Sequence, residues 1–181
     1  NNHIGLPLTL LKLTGAHRYA VIEMGMSHFG ELAVLTQIAR PDVALVNNAL
    51  RAHVGCGFDG VGDIAKAKSE IYQGLNADGL ALIPCEDANA AVFQTASKAF
   101  KQHTFGVGQG DIHAENIVLQ PLSCAFDLVC GEARAAVLLP VPGKHNVHNA
   151  VAAAALALAA GLHLQEVSDG LQSFANIKGR L

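Results

Sequence analysis

The chain has 181 residues, 51% hydrophobic and only 15% charged, too apolar for a disordered segment and long enough to bury a core without disulfide or metal staples. Twelve basic and fifteen acidic residues give a net charge of −3, which disfavours a nucleic-acid scaffold. The longest apolar run, Ala150–Ala160, is mostly alanine and too short for a bilayer. No secretory leader is evident, and the four cysteines (Cys56, Cys85, Cys124, Cys130) form no CxxC pair, so they read as reduced thiols of a cytoplasmic protein.

In chain order, Gly5–Leu13 reads as a short helix and Tyr19–Met24 as a buried strand ending at Glu23. Gly30–Ala39 reads as a helix stopping before Arg40-Pro41, where proline restricts its predecessor. Val43–Val46 is a second strand, closed by Asn47-Asn48. A glycine-rich loop, Arg51–Gly62, leads into an amphipathic helix, Asp63–Leu75. Leu80–Ile83 is a third strand, followed by a helix over Ala88–Lys101; Gly106–Gly110 reads as a loop. Alternating segments at His113–Leu119, Ala125–Cys130 and Ala133–Leu139, with a tight turn at Gly131-Glu132, predict a small antiparallel meander near 111–139. An Ala-rich helix, Asn146–Ala160, ends at Gly161, and a last helix covers Leu164–Phe174. Strands alternating with helices predict an α/β fold with a mostly parallel sheet, without an internal domain boundary. The abrupt start at Asn1-Asn2-His3 and stop at Gly179-Arg180-Leu181 read as a piece cut from a longer chain.

Open α/β sheets bind ligands at the carboxyl ends of their strands. Two such ends carry polar clusters: Glu23 with Ser27 and His28, and Asn47-Asn48 with His53. Glu23 is either a solvated strand end or a metal ligand, and His53 taken alone is more often structural. In the helix Asp63–Leu75, Ile64, Lys68, Ile71, Tyr72 and Leu75 share one face, while Asp63, Lys66, Glu70 and Gln73 share the polar face. Lys68 therefore lies inside an apolar stripe, where a lysine must snorkel, pair or be chemically altered. Asn146 and Asn149, three apart, either cap a helix or present two amides able to read a purine edge. His145 and His148 share the same spacing but have no carboxylate nearby in sequence. No GxxxxGK[ST] phosphate loop is present.

These stretches, taken together, resemble the central domain of the Mur ligases. The matching residues are Asn1–Leu11, Ala20–Gly25 with Ser27-His28 and Gly30-Glu31, Arg40–Asn48, Ala52-His53, Ala65–Tyr72, Pro142–Ala150 and Gly179-Arg180-Leu181, in family order along the whole chain. The resemblance implies a P-loop-NTPase-like central domain over 1–181, with its phosphate-loop part just upstream of Asn1 and the N-terminal substrate domain and C-terminal domain outside this sequence. It implies magnesium bound by Glu23 and His53, and a carbamylated Lys68 supporting a second magnesium, which with His53 gives the catalytic pair. Asn146 and Asn149 would contact the adenine of ATP and Arg180 would hold the nucleotide; Ser27, His28 and Asn48 would lie on the substrate or phosphate side. Cys56 receives no role.

The implied activity is ATP-dependent amide formation between UDP-N-acetylmuramoyl-tripeptide and D-alanyl-D-alanine through an acyl phosphate, in peptidoglycan precursor synthesis. No nucleic acid or membrane partner is implied, and a monomer is expected. Lacking the phosphate loop, the chain alone is expected to be inactive. The alternatives are another amide ligase of the superfamily, folylpolyglutamate synthase-like, a metal-dependent hydrolase using Glu23, His28 and His53, or a non-catalytic scaffold. The Asn1–Leu11 stretch argues against the first.

Overall fold

A computed structural model describes residues 2–51, 55 and 57–174. Among the described residues six α-helices are present: α1 (Gly5–Leu10), α2 (Glu31–Ala39), α3 (Val61–Ser69), α4 (Ala90–Ala96), α5 (Lys144–Ala159) and α6 (Leu164–Gln172). A 3₁₀ turn over Glu70–Gly74 continues α3. The strands are β1 (Val43–Leu45), β2 (Leu80–Pro84), β3 (Lys101–Val107), β4 (Ile112–Leu119), β5 (Cys124–Cys130) and β6 (Ala133–Leu139), in the sheet order β1-β2-β3-β4-β5-β6. The β1/β2 and β3/β4 pairs are parallel; β4/β5 and β5/β6 are antiparallel, and Gly131, at φ 58°, makes the turn between the last two. The α/β class and the meander agree with the pattern in the sequence.

The chain forms two compact units, one of residues 1–83 and 87–102, the other of residues 84–86 and 103–181. The core of the first gathers Leu6, Leu35, Ile64, Tyr72, Ile83 and Phe93, each at most 2% exposed. Burying such side chains stabilises by about 1.5–3 kcal/mol apiece. Tyr72 brings a polar atom into this core and satisfies it by donating its hydroxyl to the Leu82 carbonyl at 3.0 Å. In the second unit α5 buries Val147, Ala150, Val151, Ala154 and Ala155, a spacing of three and four that makes one continuous apolar face. Its Ser168 hydroxyl donates to the Ala136 carbonyl at 2.7 Å, tying α6 to β6.

Three expectations change. Tyr19–Met24 forms no strand: none of the described residues pairs with it, and Val21 is 88% exposed. An apolar run becomes a strand only when a neighbour takes up its N–H and C=O groups. The helix expected over Ala88–Lys101 ends at Ala96, because Ser97 turns its hydroxyl onto the Phe93 carbonyl (2.7 Å) and the Gln102 amide takes the Gln94 carbonyl (2.8 Å). The freed segment supplies β3, whose first half is polar and hence invisible as an apolar run. The Ala-rich helix opens at Lys144 rather than Asn146, since Gly143 at φ 101° makes the turn into it.

Candidate active site

In the first unit the chemistry-bearing side chains meet at the carboxyl end of β1 and around the start of α2. Lys68, on α3, is half-buried between Ile64 and Tyr72, as its helical face predicts, and its Nζ donates to the Asn48 carbonyl at 2.7 Å. Burial pulls its ammonium below the ordinary lysine range, and the negative charge of Asp87 opposes that shift. A lowered value enlarges the neutral-amine fraction, the form able to react with carbon dioxide. Lys66, two residues away, is exposed and pairs with Asp63 at 3.5 Å. Asn48 thus acts here through its main chain.

Asp87, just beyond β2, accepts the Ala49 N–H on Oδ2 at 2.7 Å and the Asn89 backbone N–H on Oδ1 at 2.8 Å. It also opposes the Asn89 side-chain amide at 3.2 Å. Sequence reading passed over it, although the rule that singled out Glu23, a carboxylate closing an apolar strand, applies equally to Glu86-Asp87 after Leu80–Pro84.

Glu31, the first residue of α2, folds its carboxylate back onto the preceding turn. Oε2 accepts the Ser27 and His28 N–H groups at 2.6 and 3.2 Å, and Oε1 lies 3.3 Å from His28 Nδ1. These backbone donors hold the Glu31 carboxyl below the usual glutamate range. Glu70, assigned to the polar face from its spacing, instead reaches α2. Its two oxygens accept the Gly30 N–H at 2.8 and 2.9 Å, and one accepts that of Ala33 at 3.4 Å. Gly30 has no side chain with which to cap the helix, so a carboxylate forty residues away does so. A cleft of about 790 Å³, lined by Asn2, His3, Gly25, Met26, Ser27 and Glu31 among others, opens beside this turn.

Glu23 sits exposed on the extended stretch before that turn. His53, Cys56 and Arg180 lie outside the described residues. In the second unit, Asn146 is half-buried and donates its side-chain amide to the Pro142 carbonyl at 2.7 Å; Asn149 is exposed. His148 packs its ring 5.5 Å from that of Phe105. Lys144, which opens α5, lines a cleft of about 550 Å³ with Gly108, Glu115 and Asn116.

Magnesium, implied by the resemblance, takes one or two protein oxygens and completes its shell with phosphates and water. No group of three or more His, Cys, Asp or Glu side chains gathers among the described residues. The donor chemistry fits the open kind of site: Glu23 is a hard, exposed oxygen donor, and Lys68 becomes one when its amine carries a carboxylate.

A sheet with its polar clusters at strand ends, next in sequence to a meander and a long helix opening on an amide-rich turn, defines a ligand-binding α/β domain. Residues 1–157 match the Mur ligase middle domain, and the chain belongs to that family. It is 40% identical over its whole length to the UDP-N-acetylmuramoyl-tripeptide–D-alanyl-D-alanine ligase of Haemophilus influenzae, covering 39% of that protein, and 39% identical to that of Escherichia coli, covering 40%. The crystal structure of MurF from Acinetobacter baumannii superposes with a TM-score of 0.95 at 41% identity, over 100% of this chain and 40% of that one. The chain therefore spans about two fifths of the length of these relatives. Among the described residues no helix is long and apolar enough to cross a membrane.

Proposed function

We propose that this chain is the ATP-binding middle domain of a cytoplasmic ligase that joins D-alanyl-D-alanine to UDP-N-acetylmuramoyl-tripeptide. The observation that carries the reading is the identity of about 40%, extending over the entire chain, to ligases of that name. The position of Lys68 supports it, since a half-buried lysine at a strand end has a physical use in such a reaction.

In the proposed reaction the tripeptide carboxylate attacks the γ-phosphorus of ATP and ADP leaves. The dipeptide amine then attacks the acyl phosphate carbon, and inorganic phosphate leaves as the amide forms. Magnesium, when bound, offsets phosphate charge. Glu23, His53 and the carbamate of Lys68 would hold it. Asn48 orients Lys68 through its carbonyl. Glu31 fixes the Ser27–His28 turn, so the N–H groups of that turn keep one position while substrate enters. Asn146 and Asn149, with Arg180, would bind the nucleotide.

A whole enzyme carrying this sequence as its middle domain should release phosphate only when ATP, UDP-N-acetylmuramoyl-tripeptide and D-alanyl-D-alanine are all present. Equal turnover with glutamate and a folate in their place, or hydrolysis of a substrate without ATP, contradicts the reading.

A further inference from the structure

The peptide group joining Asn48 to Ala49 is gripped at both ends. Its carbonyl accepts from Lys68 Nζ at 2.7 Å, and its N–H donates to Asp87 Oδ2 at 2.7 Å. The two charges come from different elements, Lys68 from α3 and Asp87 from the turn after β2, and each reaches the same amide. In a trans peptide the C=O and N–H point in opposite directions within the peptide plane, so the two side chains hold it from opposite edges and fix its rotation together. Asp87 is itself held, since its second oxygen accepts the Asn89 N–H at 2.8 Å.

We propose that Asp87 is a positioning residue for Lys68, acting through the Asn48–Ala49 peptide to aim the lysine nitrogen and the carbamate built on it. The proposal rests on the reading of Lys68 as the carbamate-bearing residue. Carbamylation is the attack of the neutral amine lone pair on the carbon of carbon dioxide, forming an N–C bond while one proton leaves to solvent. The nitrogen keeps one N–H. That N–H still donates to the Asn48 carbonyl, so the same hydrogen bond that holds the amine sets the plane of the carbamate. A loosened peptide lets the carbamate swing, and a carbamate that misses its metal reverts to free amine and carbon dioxide.

The test uses three Asp87 variants and Lys68→Ala in the whole enzyme, with two functional readouts beside the melting temperature. Carbon-13 NMR after equilibration with labelled bicarbonate counts the carbamate, and a magnesium titration of turnover gives the concentration for half-maximal rate. Asp87→Ala should lower the carbamate signal and raise the magnesium requirement about tenfold, the usual cost of removing a group that orients a metal ligand. Asp87→Asn keeps an oxygen for the Ala49 N–H and removes the anion that repels a carbamate, so its signal should equal or exceed the parent's. Asp87→Glu keeps the charge but moves the acceptor by a methylene, and should fall between the alanine and asparagine variants. Wild-type signal and wild-type magnesium demand in Asp87→Ala, with only its melting temperature lowered, overturns the proposal, as does Asp87→Glu outperforming Asp87→Asn. The parent and Lys68→Ala decide the underlying reading separately: a parent without a carbamate signal overturns the Lys68 assignment itself.

Discussion

The first unit and the β4–β6 meander use their carboxylates differently. In the first, Glu31, Glu70 and Asp87 all receive backbone N–H groups, and two of them join segments 38 and 40 residues apart. In the meander, Glu115 pairs with side chains, the exposed Arg134 and the half-buried His113, and Asp127 accepts the Asn116 side-chain amide. A backbone N–H cannot leave its segment, so a carboxylate bound to it fixes a loop in place. A surface ion pair exchanges readily with water and salt and fixes little. The carboxylates around the strand ends, Glu86 on the Val107 N–H among them, thus hold loops in place, the arrangement needed where ligands must meet prearranged groups.

Mutations that break this contrast should differ in size. The largest effect on stability is expected from Glu70→Ala, which strips the start of α2 of its acceptor. Loss of such a cap costs about 0.5–2 kcal/mol, seen as a lower melting temperature. Asn146→Ala in the whole enzyme should raise the Michaelis constant for ATP, at about 0.5–1.5 kcal/mol for one hydrogen bond. An unchanged constant would leave Asn146 only its bond to Pro142.

Glu31 gives a smaller, pH-dependent effect. Its folded-state pKa lies below the ordinary value of 4.5, so the unfolded chain binds the proton more readily. Its contribution to stability is therefore full above about pH 4.5 and fades as pH falls through the lower folded value. Glu31→Gln should flatten that part of an acid denaturation curve, and an unaltered curve would show that the turn holds itself. Glu115→Ala should be smallest, barely shifting the melting temperature at physiological salt, because Glu115 itself and its Arg134 partner are open to water. A large shift there would erase the contrast between the first unit and the meander.

Much of the fold was legible because buried elements carry strong periods. The face containing Ile64, Lys68 and Tyr72 emerged from spacing alone, and the structure buries Ile64 and Tyr72 and leaves Lys66 in water. β3 was missed because the exposure of Lys101–Thr104 alternates without an apolar signal. Tyr19–Met24 was read as a strand because composition reports burial preference, whereas pairing depends on a neighbour in space. Lys68 was legible in the site because charge contradicted its face. Asp87 was within reach of the strand-end rule applied to Glu23, whereas Glu31 and Glu70 were not, since a carboxylate that binds backbone N–H groups looks like any other solvated carboxylate until the distant segment is in place.

The central claim is that Lys68, and not its neighbour, carries the chemistry of the domain. Turnover of the whole enzyme should be compared for Lys68→Ala and Lys66→Ala at equal magnesium and dissolved carbon dioxide, with circular dichroism confirming that both fold. The account predicts near-complete loss of ligation for Lys68→Ala, partial rescue by a short carboxylate such as acetate, and almost unchanged turnover for Lys66→Ala, whose ammonium only meets Asp63 on an exposed face. An active Lys68→Ala enzyme beside a dead Lys66→Ala enzyme would contradict it.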